Sequence, residues 1–85
     1  MRKEMVVQLA GGLEARPIAV LVQVASQYDS TIYLEADQKR VNAKSIMGMM
    51  TLALKAGEKL TVEANGSDEE AAIEGIEKYI SGQEA

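Results

Sequence analysis

Cysteine and histidine are both absent from this 85-residue chain. Without cysteine there is no disulfide framework, no thiolate nucleophile and no cysteine-based metal site. Without histidine the chain lacks the usual general base, the commonest transition-metal ligand and a ring nitrogen that can carry a phosphoryl group. Neither a metal nor a cofactor is expected. Long apolar runs are missing too, since none nears the roughly 20 residues that cross a bilayer. Met1-Arg2-Lys3-Glu4 is not followed by the apolar stretch of a secretory leader. The expectation is a cytoplasmic protein with no membrane association. Linkers, internal repeats and low-complexity segments are lacking, so residues 1–85 read as one domain with one modest core.

What is present is apolar residues, at 47%, well above the level of a disordered chain. The net charge of −4 is distributed unevenly. Residues 1–60 carry 8 basic and 6 acidic groups, whereas residues 61–85 carry 1 basic and 7 acidic groups. An acidic end argues against direct nucleic-acid binding, while basic groups near Ser45 suit an anion or an acidic partner.

The periodicity gives seven elements. Met5, Val7 and Leu9 alternate with Val6 and Gln8, which predicts a strand over 4–9. Ala10-Gly11-Gly12 breaks it. A helix follows with Pro17 in its first turn, where the missing N–H is no loss. Ile18, Leu21, Val22 and Ala25 form its buried stripe, and Arg16, Ala19, Gln23 and Gln27 its outer face. That helix is expected to end near Tyr28-Asp29-Ser30. Strands are predicted over 31–35 and 39–42, joined by a turn lacking glycine in which Asp37 or Gln38 must take a positive φ. A helix opening at Ser45 should end near Lys55-Ala56-Gly57, with Gly57 just past its end. Leu60, Val62 and Ala64 share one face of a strand over 59–65. Ser67-Asp68-Glu69-Glu70 matches a capping box, and the last helix buries Ala72, Ile73, Ile76 and Ile80 before fraying beyond Gly82. The order β-α-β-β-α-β-α, with alternating strands and amphipathic helices, gives an α+β, open-faced sandwich: helices cover one face of a four-stranded sheet and water the other.

The segment from Ile46 to Leu54 stands apart, because only Thr51 is polar. Ile46, Met47, Met49, Met50, Leu52 and Leu54 would point to every side of a helix, so some must face water. Met49, Leu52 and Ala53 are expected to point inward, and Ile46, Met47 and Met50 outward. Ser45 precedes the run at the position of a helix N-cap. Its hydroxyl at a helix start, beside Lys44, is receptive to added negative charge, and phosphorylation would add about −1.5 to −2. Exposed apolar groups beside a modifiable serine suggest a docking surface. The plainer alternative is that Ser45 is only a cap and the methionines only fill core.

Two motifs carry a resemblance that covers essentially the whole chain. Gly12-Leu13-Glu14-Ala15-Arg16-Pro17 resembles the G-[IL]-H-A-R-P loop of the HPr family, the phosphocarriers of the bacterial sugar phosphotransferase system. Asn42-Ala43-Lys44-Ser45-Ile46-Met47-Gly48 resembles the regulatory-serine segment of its Gram-positive members. The resemblance implies a four-stranded antiparallel sheet with three helices on one face. It also implies that Ser45 is the serine modified by HPr kinase/phosphorylase. Glu14 stands where the family has its phosphorylated histidine, and a carboxylate cannot form a phosphoramidate, so that catalytic role does not carry over. A Crh-type subgroup lacks this histidine, usually has glutamine there and keeps the serine; this chain resembles it with glutamate instead.

That resemblance implies a non-enzymatic regulator of carbon catabolite repression. Phosphorylated on Ser45, it would act as corepressor of the LacI-type regulator CcpA through Arg16, Ala19, Gln23, Ser45, Ile46, Met47 and Met50. Glu14 reads as an anion at a helix start, stabilised by the dipole and by Arg16. The alternatives are a phosphocarrier with an altered active site, or an allosteric partner that binds a metabolic enzyme when unphosphorylated. A small enzyme is disfavoured, because no carboxylate pair or base–nucleophile pair falls in loop positions. A monomer or weak homodimer is expected, with Gly11-Gly12 as a hinge for exchange of the first strand.

Overall fold

The computed structural model describes residues 1–52 and 54–82. The elements are β1 (Arg2–Val6), α1 (Ala15–Ser26), β2 (Thr31–Ala36), β3 (Lys39–Asn42), α2 (Ile46–Met49), β4 (Lys59–Asn65) and α3 (Glu69–Ile80). The strands form one antiparallel sheet in the order β1-β4-β2-β3. This is the expected α+β open-faced sandwich.

The alternation in the strands decides which sheet face is covered. Ile32 and Leu34 of β2, and Leu60, Val62 and Ala64 of β4, point into the core. There they meet Ile18, Leu21 and Ala25 of α1 and Ala72, Ile73, Ile76 and Ile80 of α3. The other face carries polar groups in register across all four strands. Arg2 of β1 pairs with Glu63 of β4 (2.6 Å) and Glu35 of β2 (2.9 Å), and Arg40 of β3 reaches the same two carboxylates. Arg40 also lies 4.2 Å above the Tyr33 ring, so its guanidinium covers an aromatic that would otherwise meet water. Hydrogen bonds from Arg40, Arg2 and Asn65 hold the Glu63 carboxyl down to about 2.

Four details differ from the sequence-based expectations. The first strand starts two residues and ends three residues earlier than the alternation suggests. Arg2 and Lys3 join it because β4 runs on to Asn65 and offers partners to them. Beyond Val6 the chain leaves the sheet: the Val7 N–H still donates to Glu58 O, but the Gln8 N–H turns to Ile80 O at the end of α3.

The second helix is a single turn and does not reach Lys55. Gly48 gives it no side-chain support and a helix-averse backbone. The N–H and Oγ of Thr51 both turn back to Gly48 O (3.1 and 2.7 Å), closing the turn early. Leu52 and Leu54 are then buried two residues apart, and Leu54 O accepts from Leu13 N at 2.7 Å. The apolar run is thus a helical turn followed by a non-helical anchor. Gly57, with φ +94°, belongs to the bend before β4 and caps no helix. Ala53 and the segment after Gly82 lie outside the described residues.

The capping box at Ser67 is not formed. Asp68 occupies the N-cap position of α3, and its carboxylate faces the α1–β2 loop. It accepts from the Asp29 N–H (2.8 Å), the Ser30 N–H (3.0 Å) and the Ser30 hydroxyl. Glu69, not Glu70, bonds back to the preceding turn, accepting from the Gly66 N–H at 3.2 Å. Finally, both Asp37 (φ 51°) and Gln38 (φ 66°) take the left-handed conformation in the β2–β3 turn, where the sequence required one of them to do so. Left-handed φ at both central residues matches the twist of the flanking strands.

Candidate functional site

The site has two parts, one at the head of α2 and one at the head of α1, and these helices pack against each other. Ser45 is exposed and extended (φ −109°, ψ 111°), and its Oγ accepts from the Gly48 N–H at 3.3 Å. It is the expected N-cap. The Met49 N–H bonds to Ser45 O at 2.9 Å, which fixes the serine against the turn it opens. Because Ser45 is exposed, a transferase can reach its hydroxyl without unfolding the segment.

The apolar side chains around it divide as their spacing suggested. Ile46 is 49%, Met47 82% and Met50 53% exposed, whereas Met49 and Leu52 are 0% and 2%. The inner pair anchors the turn to the core and leaves the outer three as a ridge beside Ser45. Methionine suits such a ridge, since its unbranched thioether adapts to a partner's contours.

On α1, Arg16 and Gln23 are exposed and Ala19 is half-buried. Among the described residues, no carboxylate lies within 4.0 Å of the Arg16 guanidinium, so it pairs with neither Glu14 nor any other. Val20, one helical turn after Arg16, is also exposed at 36%, an apolar side chain on the outer side of α1. Its exposure was readable from its i+4 spacing to Arg16.

The basic residues near Ser45 in sequence are engaged elsewhere. Lys44 Nζ donates to Tyr28 O at 2.6 Å, in the loop just past the C-cap of α1. Lys39 Nζ donates to Thr51 O at 3.1 Å, and Arg40 lies on the open sheet face. The expected anion site built from these groups is therefore not assembled. Among the described residues, the nearby basic groups Lys44 and Lys39 are thus already hydrogen-bonded to backbone carbonyls.

Glu14 is exposed, extended (φ −107°, ψ −173°) and at the N-cap position of α1, and its carboxylate accepts no capping hydrogen bond from the helix N–H groups. Its carbonyl accepts from Ile18 N at 2.8 Å and so begins the helix. The loop before it is closely packed at Gly12. Gly12 has φ +73°, and an added Cβ would lie 2.5 Å from Leu54 O and 2.9 Å from the Lys55 Cα. Its N–H bonds to Leu9 O at 2.9 Å. Gly12 therefore locks the Glu14 loop against the segment that follows α2, mechanically joining both parts of the site.

Comparison with known proteins agrees over the whole chain. A family model described as the PTS HPr component phosphorylation site matches residues 1–82. The HPr-like protein Crh of Bacillus subtilis is 45% identical over 80 residues, covering 94% of both chains. The crystal structure of the phosphocarrier protein HPr from Bacillus anthracis superposes with a TM-score of 0.91 at 45% identity, covering 94% of this chain and 95% of that one. A crystal structure of Bacillus subtilis Crh, described as a dimer with a swapped domain, superposes with a TM-score of 0.77, covering 94% and 92%. Fold, motifs and relatives agree that this chain belongs to the HPr family.

Proposed function

We propose that the protein is a regulator in carbon catabolite repression, phosphorylated on Ser45 and not on Glu14. An HPr kinase/phosphorylase supplies the phosphoryl group, and the modified form serves as corepressor of a LacI-type regulator of the CcpA kind. The carrying observation is Ser45 itself: an exposed hydroxyl at the head of α2, beside the exposed ridge of Ile46, Met47 and Met50. An apolar ridge next to a switchable charge suits a partner that must bind one state and ignore the other. The ridge supplies burial, and the phosphoserine supplies charge-assisted hydrogen bonds to the partner's cations and to Arg16. Ala19 and Gln23, with Val20 between them, complete the contact on α1. Glu14 supports the assignment, because a carboxylate at that position cannot form the phosphoramidate of a histidine carrier.

The proposal places the protein in the cytoplasm with its kinase. It also allows a weak homodimer by exchange of β1, since a relative crystallises as a swapped dimer. Any hinge for that exchange lies at Gly11, where an added Cβ would meet nothing within 4 Å, and not at the locked Gly12.

The test is a pull-down of the regulator by three forms: unmodified protein, protein treated with the kinase and ATP, and Ser45→Ala treated alike. Capture by the treated wild type alone is the expected result. Equal capture by all three would replace the corepressor reading with a constitutive partner.

A further inference from the structure

The first strand is held to the sheet differently from the others. Only Met5 of β1 is buried, whereas β2 buries two side chains and β4 three. The other strand with little buried surface, β3, is tied to β2 by a two-residue turn. β1 has no such tether, and residues 7–14 separate it from α1. Instead, its two basic side chains bind carboxylates of three different elements. Arg2 Nη1 donates to Glu63 on β4 at 2.6 Å, and Arg2 Nη2 to Glu35 on β2 at 2.9 Å. Lys3 Nζ, on the helix-covered side of the strand, donates to Glu77 on α3 at 2.8 Å. The strand is thus gripped from both faces of the sheet by charge.

We propose that β1 is an electrostatically latched edge strand, which opens locally when ionic strength rises while the rest of the domain stays folded. All the groups involved are solvent-accessible. Arg2 and Lys3 have side chains about half exposed (52% and 47%), so salt reaches both latches. The screening length falls from about 10 Å at 0.1 M salt to about 3 Å at 1 M. A strand that buries only Met5 among its own residues, with the buried Val7 anchoring just its C-terminal end, responds to that change at its Arg2 end, whereas β2, held by Ile32 and Leu34, does not. Glu4 shares the open face with Arg2, and among the described residues no cation lies within 4.0 Å of its carboxylate, so it adds nothing to the grip. Arg40 shares both open-face carboxylates with Arg2. It holds them in place from β3. Opening would uncover the backbone edge of β4 from Lys59 to Asn65, the feature of a sheet most prone to pair with another strand.

The experiment is native-state amide hydrogen exchange on the intact chain, resolved by residue, at about 0.05 M and about 1 M sodium chloride. Protection of the paired β1 amides should fall about tenfold at high salt, while the Val7 N–H, held by its buried side chain, and the β2 amides keep theirs. The double variant Arg2→Gln/Lys3→Gln should show the lowered β1 protection already at low salt and lose most of the salt response, the N-terminal ammonium keeping its 3.7 Å contact with Glu69. Charge exchange between Lys3 and Glu77 (Lys3→Glu with Glu77→Lys) should restore low-salt protection, which a role for Lys3 in packing alone would not do. The proposal is overturned if β1 protection is indifferent to salt and to the double variant. It is equally overturned if β1 and β2 lose protection in parallel, because the charges would then stabilise the domain as a whole.

Discussion

Replacing Gly12 with alanine should damage the protein far more than the same change at its neighbour Gly11. Two costs meet at Gly12. Its φ of +73° is left-handed, which costs a residue with a Cβ about 1–2 kcal/mol. The new methyl would also sit 2.5 Å from Leu54 O and 2.9 Å from the Lys55 Cα. Both atoms are backbone, so neither can swing away, and overpacking of this kind costs about 1–3 kcal/mol. Together the change should cost about 2–5 kcal/mol, out of the 5–15 kcal/mol typical of a whole domain. At Gly11 an added Cβ meets nothing within 4 Å. There the change should cost well under 1 kcal/mol, or stabilise slightly by narrowing the unfolded ensemble. Urea denaturation followed by circular dichroism measures both variants on one scale. For a domain of this size each kcal/mol corresponds to about 4–8 °C in Tm, so the Gly12 variant should melt at least about 8 °C lower. Equal midpoints for the two variants would refute the claim that Gly12 locks the Glu14 loop to the segment after α2.

Three further predictions concern the surface. Met47→Asp should leave Tm within about 2 °C of wild type, since the side chain is 82% exposed, yet abolish capture by the regulator; a large loss of stability would place Met47 in the core. Ser45→Ala should fold and cost up to about 1 kcal/mol in a urea titration, through loss of the cap to the Gly48 N–H, and should accept no phosphoryl group from the kinase. Acid should destabilise through the open-face network and through Asp68 at the start of α3. Glu63 is held down to about 2 by its arginine and asparagine partners, and Glu35 and Asp68 are also lowered. Groups with depressed folded values stabilise the protein above their unfolded values of roughly 4 and lose that contribution as pH falls through the folded ones. Unfolding midpoints should therefore drop between about pH 5 and pH 2, and Glu63→Gln should flatten that drop; an unchanged slope in the variant would show that the network contributes nothing.

The strands and long helices were legible because one physical rule decided each. Leu60, Val62 and Ala64 are buried because a period of two sends them to one sheet face, and Ile73, Ile76 and Ile80 because a helical period gathers them on one side. The apolar run after Ser45 defeated the same reasoning. Periodicity cannot separate a buried helix from a single turn followed by a buried non-helical segment. What decided it was Thr51 folding back on Gly48, a contact with no signal beyond the residue types. Ser67 met the local pattern of a helix cap, but Asp68 had a long-range use, tying the start of α3 to Ser30 across the fold. In the candidate site, the exposure of Ile46, Met47 and Met50 was readable from helix geometry. The diversion of Lys44 to the Tyr28 carbonyl was not, because it depends on where α1 ends in space.

The account stands or falls on where a phosphoryl group goes. Wild-type protein and Glu14→His should each be incubated once with enzyme I and phosphoenolpyruvate and once with the HPr kinase and ATP, then measured by intact mass with site localisation. The account predicts that the wild type gains nothing from enzyme I and a single phosphoryl group from the kinase, on Ser45. The Glu14→His variant, with Gly12, Arg16 and Pro17 already in place around it, should gain one group from each route. Labelling of the wild type by enzyme I, or kinase labelling anywhere but Ser45, would contradict it.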